Sequence, residues 1–158
     1  MIELSIVFEM KGSQVSMDRL AELKHGKDAD AYRLLLALEA ESRESNALYG
    51  HLEFFISLTQ DSRSYVRVRG FRLACAQARW DSDHRIEAHL VALLRLLDDE
   101  KPTVVRQCLE ALQDAIAWKP HLTGPIEEKL NSMDLSRYRD SMARLIERDV
   151  EALRSLWE

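Results

Sequence analysis

The segment from Leu94 to Leu112 constrains the fold more than any other part of the chain. An apolar helical run ends at Asp98-Asp99, a short turn carries Pro102, and Val105-Arg106 opens a second apolar helical run. This is one helix–turn–helix unit, and weaker copies of it recur. Tyr32-Arg33, Val68-Arg69, Val105-Arg106 and Tyr138-Arg139 each open such a run, with their arginines 36, 37 and 33 residues apart. Offsets of three and four put Phe71, Ala74, Cys75 and Ala78 on one helical face. They do the same for Cys108, Leu109, Leu112, Ala115 and Ile116, and for Met142, Leu145 and Ile146. Another apolar helix precedes each: Leu20 and Leu23; Leu52, Phe55, Ile56 and Leu58; Ile86, Leu90, Leu93, Leu94 and Leu97; Ile126 and Leu130. A helix pair cannot bury both its faces alone, so a repeat of this period predicts pairs that stack on their neighbours. The expected fold is all-α, a right-handed α-α superhelix of about four helix pairs in one domain over residues 17–158.

Signals at the joints agree with this division. Acidic residues precede each arginine: Asp28 and Asp30, Asp61, Asp98 and Asp99, and Asp134. An aspartate there is suited to cap the second helix of a pair. Trp80-Asp81-Ser82-Asp83 offers a cap for a helix from about Arg85. Trp118-Lys119-Pro120 ends one helix, and Thr123-Gly124-Pro125 starts the next. Glu41–Asn46 reads as an inter-repeat turn, with Ser45 or Asn46 capping the helix that carries Tyr49 and Phe54. Ser141–Trp157 reads as a long amphipathic helix, and Leu153, Leu156 and Trp157 either close the stack or form a dimer contact.

Residues 1–16 do not fit the repeat. Ile2, Leu4, Ile6, Phe8 and Met10 mostly alternate with polar residues, which is strand spacing. The segment is expected to be either an N-terminal extension or the product of a misassigned start, with translation beginning at Met17.

Composition excludes several classes. With 46% apolar and 31% charged residues, the chain of 158 is long enough to build a core without disulfides or metals. Its net charge of −5 provides no global basic field for nucleic acid. No apolar run is long enough to span a bilayer, and no secretory signal opens the chain, so the cytoplasm is the expected compartment. Cys75 and Cys108 lie on apolar helical faces, where a thiolate is disfavoured. His25, His51, His84, His89 and His121 include no pair at helical i, i+4 spacing, and no Cys-x-x-Cys is present, so neither a metal nor another cofactor is expected. The absence of a glycine-rich phosphate loop and of Gly-x-Ser-x-Gly agrees with a non-enzymatic protein.

The unit around Leu94–Leu112 resembles a HEAT repeat of the armadillo-type class, and residues 17–158 follow that pattern in outline. Glu41–Asn46 with Tyr49, Ser64–Gly70, Ala78–Asp81, Lys101-Pro102, Arg106-Gln107-Cys108 and Arg139–Met142 are similar to a small family of bacterial HEAT-like proteins labelled SufBD-related. The resemblance implies a helical solenoid, and its label implies an accessory role in iron–sulfur cluster assembly.

Arginines mark the candidate surface. Arg63, Arg67, Arg69, Arg72 and Arg79 fall within Ser62–Trp80, which contains no acidic residue. One reading makes this stripe a docking surface for an acidic or phosphate-rich partner, since arginine forks suit both. The other places Arg69 and Arg106 in an internal ladder with turn aspartates, Asp61 and Asp99 among them. Arg67, Arg72, Arg79, Gln107, Arg137 and Tyr138 are the expected partner-binding residues. Trp80-Asp81 beside arginines admits base recognition of the kind used by helical-repeat DNA-alkylation-repair glycosylases, although Trp80 and Trp118 sit at equivalent helix ends and suit a structural seal. The leading expectation is a scaffold or adaptor for a protein partner; nucleic-acid binding and the iron–sulfur role are the alternatives.

Overall fold

The computed structural model describes residues 17–158, and among these every regular element is helical. The strand spacing of residues 2–10 and the choice between Met1 and Met17 concern a segment outside the described residues. The helices are α1 (17–25), α2 (Asp28–Glu44), α3 (Leu52–Leu58), α4 (Ser64–Ala76), α5 (Arg85–Ala88), α6 (Leu90–Leu94), α7 (Pro102–Trp118), α8 (Thr123–Ser132) and α9 (Asp140–Arg154). No described helix is long and apolar enough to cross a membrane.

Four of them form a row. α2 packs on α4, α4 on α7, and α7 on α9, while α3 lies against α4. Burial follows position in the row. At its ends, α2 buries the stripe Ala31, Leu34, Leu35, Leu38 and Ser42, and α9 buries Ile146, Val150 and Leu153. The inner helices are covered on more sides. α4 buries Val66, Val68, Arg69, Gly70, Phe71, Leu73, Ala74 and Cys75, and α7 buries Val104, Val105, Cys108, Leu109, Ala111, Leu112, Ala115 and Ile116. One continuous apolar cluster runs from Leu20 to Leu153. Each fully buried leucine or phenylalanine in it contributes about 1.5–3 kcal/mol.

Two local expectations change. The leucine-rich run before α7 is not one helix but α5, α6 and a 3-10 turn at Arg95–Asp98, with the first break at His89. Of the turn aspartates, Asp134 caps the short 3-10 turn Leu135–Arg137, but Asp61 and Asp99 cap neither α4 nor α7. Asp61, Asp99 and Asp134 accept the backbone N–H two residues on, from Arg63, Lys101 and Ser136. They brace the turn, a local alternative that short acidic side chains favour. Pro102 is at the first turn of α7, where its missing N–H costs nothing, and α7 ends at Trp118 as Pro120 requires.

Gly70 sets the approach of α3 to α4. A Cβ there would lie 2.4 Å from the Phe55 carbonyl oxygen and 2.6 Å from Leu58 Cβ. Backbone cannot yield as a side-chain tip can. Gly70→Ala is therefore expected to lower stability by about 1–3 kcal/mol despite alanine's better helix propensity. Urea denaturation of Gly70→Ala against the parent measures this, and an equal or higher midpoint would contradict the close approach.

Candidate binding groove and the buried charge network

An open groove follows the row of helices. Three adjoining depressions of about 390, 280 and 220 Å³ share lining residues and run from α9 across α7 to α2 and α4. Arg106, Gln107, Glu110, Gln113 and Asp149 line the first; Leu36, Glu39, Arg72 and Asp114 line the second; Arg43, Arg79 and Trp118 line the third. Along α7 these positions repeat every three or four residues, so they form the stripe opposite its apolar face.

Three of the groove's four arginines, Arg72, Arg79 and Arg106, are already engaged. Arg72 is gripped by Glu39, at 2.6 and 3.2 Å, and donates to Gln107 Oε1 at 3.1 Å. Burial works against the Arg72 charge, and the Glu39 contacts outweigh it, raising its pKa. Arg106 forms a two-pronged pair with Asp149 on α9, at 2.7 and 3.3 Å. The Arg79 guanidinium lies between two indoles, 4.5 Å from the Trp80 centroid and 4.9 Å from that of Trp118, and donates to the Arg43 carbonyl. Such stacking favours a cation over a tryptophan face. Trp118 is 56% exposed, and Tyr32 and Leu36 on α2 are also exposed. Glu110 and Asp114 are exposed, and among the described residues neither forms an ion pair.

The expected partner-binding residues divide into two places. Arg72, Arg79 and Gln107 line the groove. Arg67, Arg137 and Tyr138 converge instead on the Asp98–Asp99 turn. Arg67 pairs with the Asp99 carboxylate at 2.9 and 3.1 Å, Arg137 donates to the Asp98 carbonyl, and Tyr138, which is buried, donates to the Asp99 carbonyl. The ladder also has different partners. Arg69 reaches Asp28 at 2.9 Å and the Leu23 carbonyl at 3.0 Å, tying α4 to the end of α1. Asp99 takes Arg67, Asp61 takes Arg63, and Arg106 takes Asp149. Arg63 pairs within its own turn, whereas the carboxylates of Arg67, Arg69 and Arg106 lie 32, 41 and 43 residues away in sequence. The sequence reading missed Glu39, Glu110, Asp114 and the exposure of Trp118; the polar stripe of α7 carried that signal.

A second set of polar residues is buried between the pairs. Asp81 accepts from Tyr49 Oη at 2.6 Å, and from the backbone N–H of Arg85 and Ile86 at 3.0 and 2.8 Å. Lys119, 4% exposed, lies 3.2 Å from Asp81 Oδ2 and 2.8 Å from Glu87 Oε1. Burial would raise the Asp81 carboxyl, but the donors from Tyr49, Ile86, Arg85 and Lys119 reverse this and hold it low. Burial and the Asp81 charge push the Tyr49 hydroxyl up to about 12. Glu87 also faces His84 and His121. His84 and His89 diverge as their spacing implies, since His89 turns to Glu53, but His121 arrives from the next unit. Trp80 donates its indole N–H to the Ser42 carbonyl at 2.8 Å, so Trp80 and Asp81 are both engaged inside the fold. Burial pushes the Cys75 and Cys108 thiols well above the usual range.

Asp81→Ala is expected to destabilise the protein by about 3–5 kcal/mol, because Lys119 loses a buried partner and two N–H groups lose their acceptor. The exposed neighbour Asp83→Ala should change stability by less than about 0.5 kcal/mol. Chemical denaturation of the two variants side by side measures the difference, and equal midpoints would refute a central role for Asp81. In comparison with known proteins, the chain matches no family model, no curated protein and no solved structure.

Proposed function

We propose that this chain is a non-enzymatic scaffold that binds a protein segment along the groove over α2, α4, α7 and α9. The row of packed helices and the bonds between residues about one repeat apart support a HEAT-like superhelix as its framework. The observation that carries the binding reading is the state of the groove. Two of its cations, Arg72 and Arg106, are neutralised by Glu39 and Asp149, while Leu36 and Trp118 remain exposed along with Glu110 and Asp114. Exposed aromatic and apolar groups supply burial to a bound chain, and nearby charges supply register.

The same pairing weighs against nucleic acid. A phosphate-binding stripe needs arginines free to replace counterions. Here Arg67, Arg69, Arg72 and Arg106 each hold a carboxylate of the protein itself.

Panning a displayed random-peptide library against the full chain tests the proposal. Peptides enriched on the parent are expected to bind Trp118→Ala at least tenfold more weakly, a loss of about 1.4 kcal/mol or more. Asp114→Arg should change which charges are selected. Both side chains are exposed, so both variants should melt as the parent does. Enrichment indifferent to both substitutions would refute the groove, and salt-sensitive binding of an oligonucleotide in place of peptides would refute the protein partner.

A further inference from the structure

His84, Glu87 and His121 meet at the surface, beside the buried Lys119. One ligating atom from each lies within 4.8 Å of the other two. His84 Nδ1 is 2.5 Å from Glu87 Oε2, and His121 Nε2 is 3.2 Å from the same oxygen. We propose that these three side chains bind one divalent transition-metal ion, zinc being the best match, at a site that joins consecutive helix pairs.

Two imidazole nitrogens and one carboxylate oxygen form a donor set typical of zinc, and leave a fourth position for water. With bonds of about 2.0–2.1 Å, tetrahedral ligand atoms stand about 3.3 Å apart. The His121–Glu87 separation of 3.2 Å is close to that value, His84 has to withdraw from Glu87 by less than about 1 Å, and the two imidazole nitrogens, within 4.8 Å of each other, have to settle at the same spacing. Both imidazoles are open to solvent, at 69% and 54% side-chain exposure, so an ion has a path in.

The carboxylate is oriented from behind. Lys119 Nζ donates to Glu87 Oε2 at 3.0 Å, lies 2.8 Å from Oε1, and is itself held by Asp81. Outer contacts of this kind fix a ligand's direction before the ion arrives. Asp81, Glu87 and Lys119 together leave one negative charge, which a cation offsets.

Glu87 Oε2 is crowded without an ion. Three nitrogens lie around it: His84 Nδ1 at 2.5 Å, Lys119 Nζ at 3.0 Å and His121 Nε2 at 3.2 Å. A carboxylate oxygen offers about two lone pairs. An ion relieves this by taking the lone pairs of both imidazoles. Further, His84 is the one non-glycine residue with positive φ among the described residues, at φ 57 and ψ 34. That conformation is unfavourable for a residue with a Cβ, and it is the one in which His84 Nδ1 reaches Glu87.

The test uses the full chain, stripped with a chelator and titrated with zinc chloride by calorimetry, and with Co²⁺ followed by visible absorption. The parent is expected to bind one equivalent and to melt at higher temperature with zinc. His84→Gly, which keeps the left-handed backbone, and His121→Ala should each bind at least tenfold more weakly and lose the zinc-dependent shift. Without metal both should melt no lower than the parent. Absence of saturable binding would overturn the proposal, as would affinity equal to the parent's in His84→Gly and His121→Ala, which would place the ion at other histidines such as His89.

Discussion

Residues about one sequence period apart bond to one another across the row from α2 to α9, and the rest of the described structure depends on that register. Arg72 reaches Glu39 across 33 positions, Gln77 reaches Ser42 across 35, and Arg79 reaches the Arg43 carbonyl across 36. Arg67 takes Asp99 across 32, and Tyr138 takes the Asp99 carbonyl across 39. These separations, from 32 to 39 residues, lie close to the period read in the sequence. Positions that match in the repeat are therefore brought side by side, and a slip between pairs would break many of these bonds together.

The apolar cluster supplies most of the stabilisation, but it does not by itself choose this register. Leucine and alanine faces slide past each other at small cost, whereas a buried donor without an acceptor costs about 1–3 kcal/mol. Ser42, Gln77 and Trp80 form one such polar knot between successive units. Asp81, Tyr49 and Lys119 form the next, and Arg67 with Asp99 a third. In each, donors of one unit meet acceptors of another in this alignment. Gly70 adds a steric condition, because it lets α3 approach α4 at a distance that no side chain permits.

The same register governs the surface. By pairing Arg72 with Glu39 and Arg106 with Asp149, it converts a basic-looking sequence stripe into a groove of balanced charge. It places Trp118 against Arg79, leaving one indole face to stack and much of the ring exposed. It also brings His121 to Glu87, which no local spacing of histidines would suggest.

Helix content, the joints at Pro102 and Pro120, and the apolar stripes of α2, α7 and α9 were legible in the sequence, because they follow from backbone chemistry and helical periodicity within a few residues. What the sequence could not fix was which repeat-separated positions meet. Arg69 with Asp28, Arg67 with Asp99 and Arg106 with Asp149 all have several carboxylates at comparable sequence distance. The break of the α5–α6 run at His89 and the left-handed turn at His84 were likewise beyond local pattern. Local spacing determines which faces of each helix are apolar. The offset between stacked pairs, a property of three-dimensional packing, decides which charges are neutralised inside the protein and which remain for a partner.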